Sequence, residues 1–378
     1  MRIPMRAPLT GFGSVSATAL AAALAITAPA AAVDTSFATF VPGEQASSAS
    51  IDYDVWNEAM QNLVISMGPS LRQSAGLPPA GYGSRRQYGH TSRYRLEGSR
   101  VTFSFLDETI IGNLAQYRQD LQATADKVDL QSLSRNEQLA FWINLHNVAL
   151  VEQIASQWPV RQPRTMKIDG VPLDDAKFIS VEGVALSLRD IRENVVYANW
   201  DDPMVIYGFW RGEIGGPSIQ RRAYTGENVG DLLNTNAREF VNSLRGTQKQ
   251  GSTLQVSTLY EEAAPFFFPD FETDVRGHIA KFAQEDVTKI LAETDNTEAM
   301  IKEYDIADLA GGAREPTYSN IQSADGVSQG FRIPRAMSAL LAQREEKFRR
   351  ILKEGRTGTV TVSAIDLPGE EGEGKEVE

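Results

Sequence analysis

Ser134-Arg135-Asn136-Glu137-Gln138-Leu139-Ala140-Phe141-Trp142-Ile143-Asn144-Leu145-His146-Asn147 is the stretch on which the fold turns. Ser134 and Glu137 stand in the S-x-x-E spacing of a helix capping box. The apolar run continues through Val151 and Ile154, and Pro159 sets its latest end. A helix apolar around most of its girth cannot lie on a surface, so this one is read as the central buried helix. Its polar members are therefore informative. Asn144 and Asn147, spaced i and i+3, project from one face, and His146 lies between them. Buried amides must find partners, because an unsatisfied one costs about 1–3 kcal/mol. Two readings stay open: the amides tie down the loops around the helix, or they orient His146 as a base.

Outward from this helix, the 3.6-residue period of Trp56, Met60, Leu63, Val64 and Met67 predicts a helix stopped by Gly68-Pro69. Val101, Phe103 and Phe105 alternate with polar residues as in a strand buried on one face. Ile110 to Leu121 repeat as a helix, and Val181-Glu182-Gly183-Val184 reads as a hairpin turn. Ser187, with Asp190 three residues on, caps another helix. The continuous apolar run Met204–Trp210 is read as a buried strand, followed by a glycine loop at 212–217. Helices are expected around Leu233–Leu244, over Val275–Ile290 on a single face, and from Pro334 to Gly355. Thr359–Ala364 alternate like a strand. The class is α+β, with mixed helices around a small antiparallel sheet.

The chain has 378 residues, 42% hydrophobic and 23% charged, which suits a sizeable core. Its net charge of −12 argues against a nucleic-acid binder, whose phosphates such a surface repels. It contains no cysteine, which excludes a disulfide framework, a thiolate metal site and a cysteine nucleophile. Arg2 and Arg6, the small apolar run Val15–Ala28 and Ala30-Ala31-Ala32 have the pattern of a secretory signal peptide covering 1–32. The expected product is a soluble bacterial periplasmic or secreted protein, with no membrane span once the leader is cut. Residues 33–50 read as a flexible stretch, 51–295 as the main domain and 296–333 as a connection. Residues 334–365 read as a terminal helix and strand, and 366–378 as an acidic tail.

The common catalytic motifs are missing: no G-x-x-x-x-G-K-[ST], no G-x-S-x-G and no H-E-x-x-H. His90, His146 and His278 are far apart in sequence, so neither a metal nor a cofactor is expected. His278 sits on an amphipathic helix, and His90 in an Arg/Tyr loop. Arg85, Arg86, Arg93, Arg95 and Arg100, interleaved with Tyr82, Tyr88 and Tyr94, form a basic island that could dock an anionic glycan or acidic partner. The strongest local candidate is Arg211-Gly212-Glu213-Ile214-Gly215-Gly216. Its glycines would let backbone approach a ligand, while Arg211 and Glu213 contact it or pair with each other.

Several of these segments together resemble the domain of unknown function 547 family. The helix resembles its E-x-x-A-F-W-I-N-x-Y-N signature. Further segments follow in order: Ser187-Leu188-Arg189-Asp190-Ile191, Ala223-Tyr224-Thr225, Glu239-Phe240-Val241-Asn242, and Ser257 through Phe271. The resemblance covers roughly 50–290 and implies a papain-like or transglutaminase-like core. Many members carry a histidine in the buried segment and then C-G-x-x-S-C-P. Here those positions hold Ile206, Arg211 and Gly216, with Gly212 and Pro217 kept, and the signature tyrosine is His146. A thiol mechanism cannot be carried over without thiolate and base. The expectation is an exported, non-catalytic protein binding an envelope component or protein partner. The alternative is a hydrolase or transferase of amide or ester bonds built around His146, with Asn144 or Asn147 orienting it.

Overall fold

The computed structural model describes residues 35–43, 47–76, 88–315 and 333–355. The chain divides into Met1–Thr35 and Ser36–Glu378, and the helices and strands from Asp54 onward all belong to the second unit. Helix α1 spans Asp54–Leu63 and buries Trp56 and Met60. It does not run on to Gly68-Pro69. Val64–Ser66 form strand β1, paired antiparallel with β2, Ser99–Val101. The β-branched pair Val64 and Ile65 favours that extended exit. The strand expected over Val101–Phe105 also stops at Val101, because Phe103–Phe105 winds into a 3-10 turn. Phe103 is buried there, whereas Phe105 is exposed.

Helix α2, Glu108–Ala125, is capped by Asp107, whose side chain accepts from the Ile110 amide at 2.9 Å. Helix α3, Arg135–Gln157, is the central helix, buried almost throughout from Glu137 to Ala155. Ser134 Oγ accepts from the Glu137 amide at 3.1 Å, which is one half of the capping box. The other half is diverted. The Glu137 carboxylate accepts instead from the amides of Ile51 and Gly226, both at 2.9 Å, and ties two distant loops to the helix start.

Two hairpins come after α3: β3, Lys167–Ile168, with β4, Val171–Pro172; and β5, Ile179–Val181, with β6, Val184–Leu186. The second turns through Glu182 and Gly183 at φ of 49° and 77°, the positive values that a two-residue hairpin loop requires. Ser187 and Asp190 then exchange both capping bonds, at 2.9 and 3.0 Å. The helix they start is π-helical over Asp190–Tyr197, a local widening often found at functional positions. The run expected as a buried strand at 204–210 is a 3-10 turn, Pro203–Gly208, started by Asp202 accepting from the Met204 amide. A continuous apolar run specifies burial but not the period. Proline at the first turn with a capping aspartate before it favours the helical choice.

Helix α4 spans Val229–Val241. Strands β7, Thr247–Gln250, and β8, Thr253–Ser257, pair antiparallel. Helices α5, Thr258–Phe267, α6, Phe271–Phe282, and α7, Glu285–Ala292, lead to β9, Asn296–Ile301, which pairs parallel to β8. The single helical face expected over 275–290 is thus two helices, broken after Phe282. The segment expected as a connection from 296 begins as a strand, so the packed unit continues past residue 295. Helix α8, Arg335–Lys353, follows Pro334 and ends before Gly355 at φ 62°. The class is α+β, and its largest sheet is mixed rather than wholly antiparallel. The leader, Arg85 and Arg86, the strand expected at 359–364 and the acidic tail lie outside the described residues. No helix among the described residues is long and apolar enough to cross a membrane.

Candidate functional site

The amides of α3 hold the chain segments that frame the candidate loop. Asn144 donates to the Tyr224 carbonyl at 2.7 Å and accepts from its amide at 3.1 Å. Asn147 donates to the Gly208 carbonyl at 2.9 Å and accepts from the Trp210 amide at 3.1 Å. Both therefore satisfy backbone groups of passing loops.

His146 is fully buried, edge-on to Phe209. Its Nδ1 lies 3.0 Å from Asn147 Oδ1, an acceptor, so Nδ1 carries the proton. Nε2 is then the acceptor, and Arg192 Nη1 donates to it at 3.1 Å. Burial, then the Arg192 charge, hold this imidazole well below its ordinary pKa. It is neutral, and its lone pair is occupied. His90 is also buried, with its Nε2 against the Asp308 carbonyl. His278 Nε2 meets the Tyr207 hydroxyl at 2.8 Å inside an aromatic cluster. None of the three lines the cleft that borders the 211–217 loop.

The loop after Trp210 packs against the chain itself. Ile214 donates to the Asp305 carbonyl and Gly215 to that of Glu303, while the Gly212 carbonyl accepts from Ala307. A Cβ on Gly215 would collide with the Glu303 carbonyl, and one on Gly212 would lie 2.6 Å from Ile154 Cδ1. Gly216 is similarly close-packed, against the stem of Arg211. Gly215 thus admits the Glu303 backbone, and Gly212 the side chains of Ile154 and Pro163. Arg211 and Glu213 do not pair with each other. Arg211 Nη2 reaches Glu262 at 2.9 Å, and Glu213 takes two bonds of 2.7 Å from Arg164, which stacks on the Tyr304 ring. Burial raises the Glu213 pKa, and Arg164 recovers only part of that.

Beside this loop is a cleft of about 310 Å³. Its lining includes Asp174, Asp175, Arg189 and Arg192, together with Glu262 of α5 and Tyr304. Arg192, 1% exposed, grips both oxygens of Asp174 at 2.7 and 2.6 Å. Burial alone would lift the Asp174 pKa, but Arg192, Arg211 and Arg189 outweigh it and hold the carboxyl below its usual range. Arg192 and Arg211 each keep a buried Nε with no hydrogen-bond partner among the described residues.

The basic island does not assemble in its described part. Arg93 is exposed and bonds Gln248 at 2.8 Å, whereas Arg95 is buried against Gln343 of α8. Arg100 is fully buried, its guanidinium spread over backbone carbonyls including those of Glu97, Ser99 and Arg95. Sequence reasoning found Arg211 but missed Arg164, Arg192, Asp174 and Glu262. Their charges follow no spacing rule, and Arg192 is distinguished in sequence only by lying just beyond the Ser187–Asp190 cap.

Residues 130–241 match the model of DUF547, a family described as protein of unknown function. The match is narrower than the resemblance over 50–290. It spans α3, both hairpins, the π-helical stretch, the 211–217 loop and α4, so it supplies much of the cleft lining; Glu262 and Tyr304 lie beyond it. No curated protein and no solved structure matches the chain.

Proposed function

We propose that this is an exported, non-catalytic binding protein that holds an anionic group of an envelope component or partner in the cleft between Arg192 and Arg211. The observation that carries it is a cleft lined by Arg164, Arg189, Arg192 and Arg211, in which Arg211 Nη2 pairs with the half-exposed Glu262. An oxyanion that displaces Glu262 takes over its charge-assisted bond to Arg211. The neighbouring groups do not favour chemistry. A general base needs a free lone pair within reach of its proton. That of His146 is held by Arg192, and Ser257 Oγ, in the cleft lining, caps α5 by accepting from Leu259. Export is supported by the charged start, apolar run and alanine triplet of residues 1–32, and the secreted chain is expected to begin at Val33.

The test is isothermal titration of the secreted chain with small carboxylates and with inorganic phosphate, at rising salt, beside Arg211→Ala. Binding that falls about tenfold in the variant, with the lost part salt-sensitive, is the expected outcome. Unchanged affinity discards the site, and amide or ester turnover abolished by one cleft substitution discards the non-catalytic reading.

A further inference from the structure

A second cleft, of about 330 Å³, is lined by Ser66 of β1, by Gln220 and Arg221, and by Arg238 and Glu239 of α4. Its electrostatics differ from those of the first. There, Arg164, Arg189, Arg192 and Arg211 are each paired with a carboxylate. Here Arg221 and Arg238 have no carboxylate partner among the described residues. Arg221 Nη2 donates to the Gln61 carbonyl at 2.8 Å, and Arg238 Nε to Asn234 Oδ1 at 3.3 Å. The carboxylate in the lining, that of Glu239, is already taken by buried Arg245 and by Ser218 Oγ at 2.9 Å. A third cation stands behind these two. Arg344 of α8 donates through Nε to the carbonyl of Ser66 at 2.6 Å, and it too has no carboxylate partner among the described residues. Burial, then the Arg221 charge, lowers the Arg344 pKa, so these guanidiniums are close enough to repel. In a chain of net charge −12, positive charge gathered without counter-charge at one cleft draws anions to it.

We propose that this cleft is a second, separate anion site, and that it takes a phosphoryl group carried on a polyol or sugar. Arginine forks match phosphate oxygens, and a doubly charged tetrahedral group serves Arg221 and Arg238 together where a single carboxylate serves one of them. The rest of the lining suits a hydroxylated body. Ser66 Oγ accepts from the Gly68 amide at 3.1 Å and keeps its own proton to donate. Gln220 spends its Nε2 on Asn236 and keeps its oxygen, while the exposed Gln284 side chain makes no hydrogen bond among the described residues. The volume is at the small end of pockets that hold organic ligands and more than bare phosphate needs.

Four probes test this by isothermal titration: glycerol 3-phosphate, inorganic phosphate, sulfate and acetate. Each is titrated into the full chain and into its Arg211→Ala form, in which the first cleft no longer contributes. In both, glycerol 3-phosphate is expected to bind about fivefold more tightly than inorganic phosphate, and sulfate about tenfold more tightly than acetate. Arg221→Gln and Arg238→Gln keep the side-chain stems and should leave the melting temperature unchanged. Each should weaken glycerol 3-phosphate about tenfold. Binding that vanishes with Arg211→Ala, or that survives both glutamine substitutions, overturns the second site and leaves the first standing. Absence of phosphate and sulfate binding overturns it as well. Acetate binding as tightly as sulfate overturns the doubly charged ligand, and inorganic phosphate binding as tightly as its glycerol ester overturns the polyol body.

Discussion

Arg192→Met removes the group on which His146 and Asp174 both depend. Methionine approximates the arginine stem in volume, so the packing loss stays small, under about 1 kcal/mol. Asp174 is 36% exposed and keeps Arg189 at 3.2 Å, so its share of the loss is that of a partly screened pair, about 1 kcal/mol. His146 is different. Fully buried, it loses the donor to Nε2, and a buried unsatisfied acceptor costs about 1–3 kcal/mol. The expected total is about 2–4 kcal/mol, read from urea unfolding at neutral pH as a shifted midpoint with an unchanged slope. Imidazole nitrogen shifts give an independent reading. The unaltered protein should show His146 neutral with the proton on Nδ1. In the variant, loss of the Arg192 charge should move its pKa upward. A destabilisation below about 0.5 kcal/mol, or a proton found on Nε2 in the unaltered protein, refutes the reasoning.

The remaining predictions concern acid and backbone. His90 and His278 are held by burial at pKa values of about 3 and about 4 against an ordinary 6.5. The unfolded chain therefore binds more protons between those values and 6.5, and stability falls as pH drops below 6.5, by roughly 2 kcal/mol for each histidine at pH 5. His146 acts in the same direction. Asp308, raised by burial to about 6 from 3.8, binds its proton more readily when folded and returns about 1 kcal/mol over the same interval. Net loss of stability between pH 7 and 5 in chemical denaturation is the expected result, and a flat profile would show that these imidazoles are solvated. Gly215→Ala, which drives a methyl into the Glu303 carbonyl, should cost about 1–3 kcal/mol and loosen residues 303–307 in hydrogen exchange. Protection there equal to that of the unaltered chain would contradict the close packing of loop and segment.

Local chemistry was legible wherever neighbours in sequence are also neighbours in space. The Ser134 cap, the all-round burial of α3, the positive-φ turn at Glu182-Gly183, the Ser187–Asp190 exchange and the Pro334 helix start all follow from residues within four positions of one another. Periods failed where the pattern was uniform or interrupted. The run 204–210 has no polar face from which to read a period, and β-branched Val64 and Ile65 ended α1 before its apolar spacing did. The α+β class and the absence of a thiol nucleophile needed nothing beyond composition and order. The cleft depends on long-range encounters. Glu262 meets Arg211 across 51 positions, Arg164 meets Glu213 across 49, and Arg192 meets His146 across 46. Charged side chains carry no periodic signal that names a partner so far away. Only the packing of loops against α3 decides which charges share low-dielectric surroundings.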